Sequence, residues 1–167
     1  VESDKPVVLV EDTIEALGKL SKYYRDKFDI PYVGITGSVG KTTTKDMIAC
    51  ALSAKFNVMK TQGNFNNHIG LPLTLLNLDT YHEIGVTEMG MSNFGEIDYL
   101  ASIVKPETAV YTNIGVSHIE NLGSRENILK AKLEILDGMN NGTLIINNDN
   151  DMLRTVKYNN LITIGID

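Results

Sequence analysis

The chain has 167 residues, 43% apolar and 22% charged, which is the makeup of one soluble domain with a real core. Fifteen basic against 21 acidic residues give a net charge of −6, which argues against nucleic acid or an anionic membrane as a general partner. One cysteine, Cys50, rules out an internal disulfide framework and a cysteine-rich metal site, and no apolar run approaches the roughly 20 residues that span a bilayer.

In chain order, Pro6 to Val10 reads as a short strand. Asp12-Thr13-Ile14-Glu15 reads as a capping box opening a helix, on which Ile14, Leu17, Leu20, Tyr24 and Phe28 recur at helical spacing until Pro31. A strand over Tyr32–Thr36 leads into Gly37-Ser38-Val39-Gly40-Lys41-Thr42-Thr43, and a helix follows to about Lys55, with Cys50 expected in its buried face. Asn57–Lys60 is a strand, Thr61–Gly70 a polar loop and Leu71–Leu78 a short helix with Pro72 in its first turn. Strand Glu83–Met89, helix Phe94–Val104, strand Thr108–Asn113 and helix Asn127–Leu136 follow. Thr143–Asn147 and Leu161–Ile164 close the chain as strands. The strands are nearly continuous apolar runs alternating with helices. The expected class is therefore α/β, a mostly parallel sheet flanked by helices, with ligands at the carboxyl ends of the strands.

Glycines between a strand and a helix N-terminus let backbone N–H groups converge on phosphate. The helix adds roughly half a positive charge there. Lys41 then reaches the β- and γ-phosphates, and the Thr42 hydroxyl sits on Mg²⁺. The general P-loop asks for one more glycine where this chain has Ile35, so the motif is the shorter Thr36-Gly-x-x-Gly-Lys-Thr. Glu88, at a strand end, fits either a Mg²⁺ ligand or a turn cap. His118 is equally a ligand or an exposed loop residue. The loop carrying Asn64, Asn66 and Asn67 either binds phosphate oxygens and metal-bound water or is a plain polar turn. Asn147 to Asp151 either holds a base or ribose or turns the chain. Lys130 and Lys132, on residue type alone, read as solvated helix lysines. No His-x-x-x-His or Cys-x-x-Cys spacing supports a zinc site.

Together these segments resemble the central ATP-binding domain of the Mur ligases, over nearly the whole chain from Val8 to about Ile164. The short P-loop is that superfamily's form. Gly63-Asn-Phe-Asn-Asn-His-Ile-Gly-Leu-Pro72, Glu88-Met-Gly and Asn113-Ile-Gly-x-Ser-His118 are similar to the branch that adds D-alanyl-D-alanine to the peptidoglycan precursor. The resemblance implies a P-loop NTPase-like fold and an ATP-dependent amide ligase. It assigns the ATP phosphates to Lys41 and the Gly37–Gly40 backbone, with Thr36, Ser38, Val39 and Thr43 around them. Mg²⁺ goes to Thr42 and Glu88, and a second Mg²⁺ to His118. Lys132 matches a lysine that the family carbamylates. Asn147 and Asn150 match positions near the adenine, and Asn64, Asn66 and Asn67 the nucleotide and metal loop. His68, where many relatives carry an acid, receives no role.

The same resemblance divides the chain into residues 1–30, the end of an N-terminal domain with its linking helix, and residues 31–167, the central domain without its last part or the C-terminal domain. UDP-MurNAc-tripeptide and D-Ala-D-Ala would be met through other domains, in a cytoplasmic monomer whose excised piece does not ligate alone. Another Mur branch, folylpolyglutamate synthase and a non-catalytic nucleotide-binding module are the alternatives.

Overall fold

The computed structural model describes residues 4–166. Helix α1 is Thr13–Arg25, β1 Tyr32–Thr36, α2 Lys41–Leu52, β2 Val58–Lys60, α3 Gly70–Leu75 and β3 Ile84–Glu88. Then come α4 Glu96–Val104, β4 Thr108–Tyr111, α5 Ile119–Leu122, α6 Arg125–Leu133, β5 Thr143–Asn147 and β6 Leu161–Ile164. Short 3-10 turns at Glu134–Gly138 and Leu153–Thr155 complete the path.

The six strands form one sheet in the order β2-β3-β1-β4-β5-β6. Every ladder is parallel, so the sheet is wholly rather than mostly parallel. Register aligns the working ends: Ile35 lies opposite Glu88 on one side and Val110 on the other, and Thr36 lies opposite Tyr111. The chain leaving β1 runs towards β2, whereas the chain leaving its neighbour β4 runs towards β5. Adjacent strands whose connections diverge open a crevice at their carboxyl ends, where ligands bind in such sheets.

The two faces are unequal. The larger core packs Tyr32, Leu71, Leu75, Ile97, Leu100, Ile128 and Leu144 under α3, α4 and α6. On the other face α2 covers Ile35, Val86 and Val110 through Ala49, with Ile48 and Leu52 beside it. Helix α1 joins the larger side. Tyr24 and Phe28 pack on it, the Tyr24 hydroxyl donates to Leu78 O (3.0 Å), and Arg25 Nε donates to Val104 O (2.8 Å).

Three expectations fail. Pro6–Val10 forms no strand: its backbone pairs with no ladder and its residues are exposed. The first helix stops at Arg25 and buries Gly18 and Ser21, leaving Ile14 and Leu20 exposed, because the small residues let α1 approach Tyr99 and Ile103 of α4. Cys50 is exposed, since the buried positions of α2 are Lys45 and Ala49.

Candidate functional site

The loop between β1 and α2 is shaped by backbone requirements. Gly37 adopts φ 151° and Gly40 φ 82°, conformations that a side chain resists. A Cβ on Gly37 would also collide with the Thr112 side chain. Gly40 is the N-cap of α2 and supplies no capping side chain, so the first N–H groups of a 12-residue helix stay open to a ligand. The loop is riveted to the end of β4 from outside. Ser38 N donates to Asn113 O (3.0 Å), Val39 N to Asn113 Oδ1 (2.9 Å), and Gly115 N to Ser38 Oγ (2.9 Å). The loop is thus held in shape by the protein's own hydrogen bonds.

Lys41 is half-buried and folds back to donate to Gly37 O at 2.9 Å. Burial lowers its pKa, and Glu88 partly offsets that. Thr42 and Thr43 are exposed at the mouth, while Thr36 is wholly buried and its hydroxyl has no partner.

Glu88 ends β3 at 1% exposure. Its N–H donates to Thr61 Oγ1 (3.0 Å) and its Oε1 accepts from Asn66 Nδ2 (2.7 Å). Its Oε2 is buried and accepts no hydrogen bond. The Lys45 ammonium, 4.0 Å away, supplies charge but no hydrogen bond, so the lone pairs of this buried oxygen stay free for a cation. Among the described residues no three His, Cys, Asp or Glu side chains gather into a metal cluster. One carboxylate beside a phosphate cradle and a threonine hydroxyl is instead the donor set that Mg²⁺ prefers.

The asparagine loop divides its labour. Asn66 is the member that reaches Glu88, and Gly90 leaves it room: a Cβ there would lie 2.7 Å from Asn66 Oδ1. Asn67 Oδ1 accepts from Ile69 N and Gly70 N and so starts α3, while Asn64 is exposed. Asn147 and Asn150 spend their amides on the protein. Asn147 Nδ2 donates to Thr112 O (3.1 Å) and Asn150 Nδ2 to Ile114 O (3.2 Å), while their oxygens accept from Asp149 N and Leu153 N. They brace the segment after β4 on which His118 stands. His118 holds a left-handed backbone (φ 64°) at the start of α5, with its ring exposed.

Lys132 corrects the reading of a solvated lysine. It is 1% exposed on α6, whereas Lys130 is exposed as expected. Burial, and then the charge of Lys41, push its pKa down to about 7. Two contributors escaped the sequence reading. Lys45 is buried next to Glu88, and Asn113, noted only as part of a motif, anchors the phosphate loop. The signal for Lys45 was its place four residues after Lys41, on the apolar side that continues to Ala49.

A family model described as the Mur ligase middle domain matches residues 35–167. The chain is 53% identical over 149 residues to the UDP-N-acetylmuramoyl-tripeptide--D-alanyl-D-alanine ligase of Bacillus subtilis, covering 89% of this chain and 33% of that protein. It superposes on the MurF ligase of Thermotoga maritima in complex with ADP at a TM-score of 0.88 and 38% identity, covering 99% of this chain and 39% of that one. Likeness to the apo form of L. casei FPGS (TM-score 0.59, 14% identity, 86% of this chain and 45% of that one) is one of fold alone. The chain spans about a third of the length of the curated relatives it matches. By the extent of the family match and by this identity, the chain belongs to the Mur ligase family and carries its middle domain.

Proposed function

We propose that this chain is the ATP-binding core of a ligase that joins D-alanyl-D-alanine to UDP-MurNAc-tripeptide, a cytoplasmic step of peptidoglycan precursor synthesis. The observation that carries this reading is the open N-terminus of α2 with Lys41, set in register beside a buried carboxylate one of whose oxygens accepts no hydrogen bond. The identity to ligases of that name supports the choice of acceptor over the other branches and over folylpolyglutamate synthase. Buried Glu88 and Lys132 favour chemistry over mere nucleotide binding, because a passive phosphate loop requires neither.

In this reading the amides of Gly37 to Thr43 hold the phosphates, and Lys41 exchanges the Gly37 carbonyl for a phosphate oxygen. The tripeptide carboxylate takes the γ-phosphoryl group to become an acyl phosphate. The dipeptide amine then attacks the acyl carbon and inorganic phosphate leaves. Two anions must approach each other, so positive charge fixed in advance is what the protein supplies. Thr42 and Glu88 would hold Mg²⁺, and His118 with carbamylated Lys132 a second one. Mg²⁺, when bound, neutralises phosphate charge. Lys132 is suited to its part because an amine whose pKa is near 7 is largely neutral at physiological pH. Its nitrogen attacks CO₂, an N–C bond forms, a proton is released, and a cation becomes an anion.

The test is amide formation by the full-length protein with Mg-ATP, the tripeptide nucleotide and D-Ala-D-Ala. Lys41→Ala is expected to lower turnover by about 10²–10³-fold, as removal of a preorganised charge contact does. Turnover unchanged in that variant would remove the phosphate assignment.

A further inference from the structure

The reading above gives Lys45 no part, yet with Glu88 and Lys132 it is one of three charged side chains at 1% exposure among the described residues. Its surroundings form a closed circuit. Lys45 Nζ donates to Gly63 O at 2.9 Å, which ties α2 to the asparagine loop. Three residues on, Asn66 donates to Glu88 Oε1, and Gly90 N, just past β3, donates back to Asn66 O at 2.9 Å. The circuit closes where Lys45 Nζ lies 4.0 Å from Glu88 Oε2. Asp46 Oδ1 also lies near the ammonium, at 3.7 Å, but its side chain is 49% exposed and pairs more tightly with Lys60 at 2.7 Å, so water and Lys60 screen it, whereas Glu88 is as buried as Lys45.

The 4.0 Å gap is the informative distance. It is too long for a hydrogen bond, yet close enough for charge to act in a buried site. The ammonium therefore balances the carboxylate without occupying the lone pairs of Oε2. Its own hydrogen bond goes instead to the loop that grips the other oxygen. We propose that Lys45 is a positioning residue. It pins the asparagine loop through Gly63 and counterbalances Glu88, so that Asn66 fixes Oε1 while Oε2 stays open for a divalent cation. This rests on the reading of the site as one for a metal-nucleotide. Lys45 acts through Glu88 and touches neither phosphate nor metal.

The experiment measures ADP binding to the full-length protein by calorimetry, once with Mg²⁺ and once with EDTA. In the unsubstituted protein Mg²⁺ should tighten binding, and no metal gain there would also overturn the proposal. Lys45→Met should cut that metal-dependent gain by about 10-fold or more, the usual effect of losing a residue that orients a metal ligand. Affinity in EDTA should stay within about threefold. Lys45→Gln keeps a donor for Gly63 O, so it serves if the methionine variant does not fold, and it should lose most of the gain as well. On a Glu88→Gln background Lys45→Met should add no further loss, because both act on one ligand. A full metal gain in a folded Lys45 variant, or equal loss with and without Mg²⁺, would overturn the proposal. No ADP binding by the unsubstituted protein would bring down the nucleotide reading itself, an outcome distinct from both.

Discussion

At the scale of single residues, the site consists of groups whose burial conflicts with their charge. Lys132 states that conflict as a number, a pKa of about 7 against an ordinary 10.5. The sign follows directly. Below pH 7 the amine is protonated and cannot take up CO₂, while above it the amine is free. On the proposed reading, ligase activity of the full-length protein in bicarbonate buffer should therefore rise as pH passes through about 7. Buffer stripped of CO₂ should abolish the activity at pH 8, and bicarbonate should restore it. Indifference to bicarbonate, with Lys132→Arg still active, would exclude the carbamate. The same shift makes Lys132 weaken the fold most at acid pH. Between about 7 and 10.5 the unfolded chain holds a proton that the folded chain lacks, so this contribution to stability grows as pH rises. The positions of Lys41, Thr42 and Glu88 at adjoining strand ends were legible because motif and strand end coincide there. Lys132 looked solvated because lysine usually is, and Lys45 was passed over as one more helix residue. Their periodicity was the missed clue: Lys132 lies four residues after buried Ile128, and Lys45 four before buried Ala49.

At the scale of elements, strands were the most legible. Tyr32–Thr36, Thr143–Asn147 and Leu161–Ile164 have the bounds their apolar runs imply. The Pro6–Val10 run is equally apolar but has no ladder to join, and a strand exists only by pairing. Helix α1 illustrates the opposite error. Its leucine and isoleucine spacing suggested one face, whereas Gly18 and Ser21 mark the face that packs, because close approach to α4 favours small residues. Its start was legible. Asp12 Oδ1 accepts from Ile14 N (2.7 Å) and Glu15 N (2.8 Å). Glu15 does not close the capping box; it pairs with Lys19 at 2.7 Å. Asp12→Ala should cost about 1 kcal/mol, the value of an N-cap, and lower the melting temperature by roughly 2–4 °C. Calorimetric melting checks this, and an unchanged transition would mean that docking alone holds the helix.

At the scale of the whole molecule, helix α1 and the residues after it to Ile30 act as part of the core and not merely as a tether. Tyr24 and Phe28 extend the larger cluster, and Arg25 stacks over buried Tyr32 with 4.4 Å to the ring centroid. A chain beginning at Pro31 would strip that cover from Leu78 and Val104. It should melt about 10 °C lower, the cost of losing several buried side chains from a domain of this size. Equal melting would show α1 to be a linker after all. Among the described residues no helix is long and apolar enough to cross a membrane. The sheet order carries a last consequence, in time rather than space. No strand pairs with its immediate successor except β2 with β3, β4 with β5 and β5 with β6, and each of these contacts waits for a crossover to form. Loop closure comes first and its reward later, which makes such a chain slow to refold. The phosphate loop hangs from β1, which is complete only when β3 and β4 have arrived from 52 and 75 residues away, counted from Tyr32 to Ile84 and from Val33 to Thr108. On the proposed reading, nucleotide binding is therefore among the last properties a refolding molecule acquires, and it counts finished molecules only.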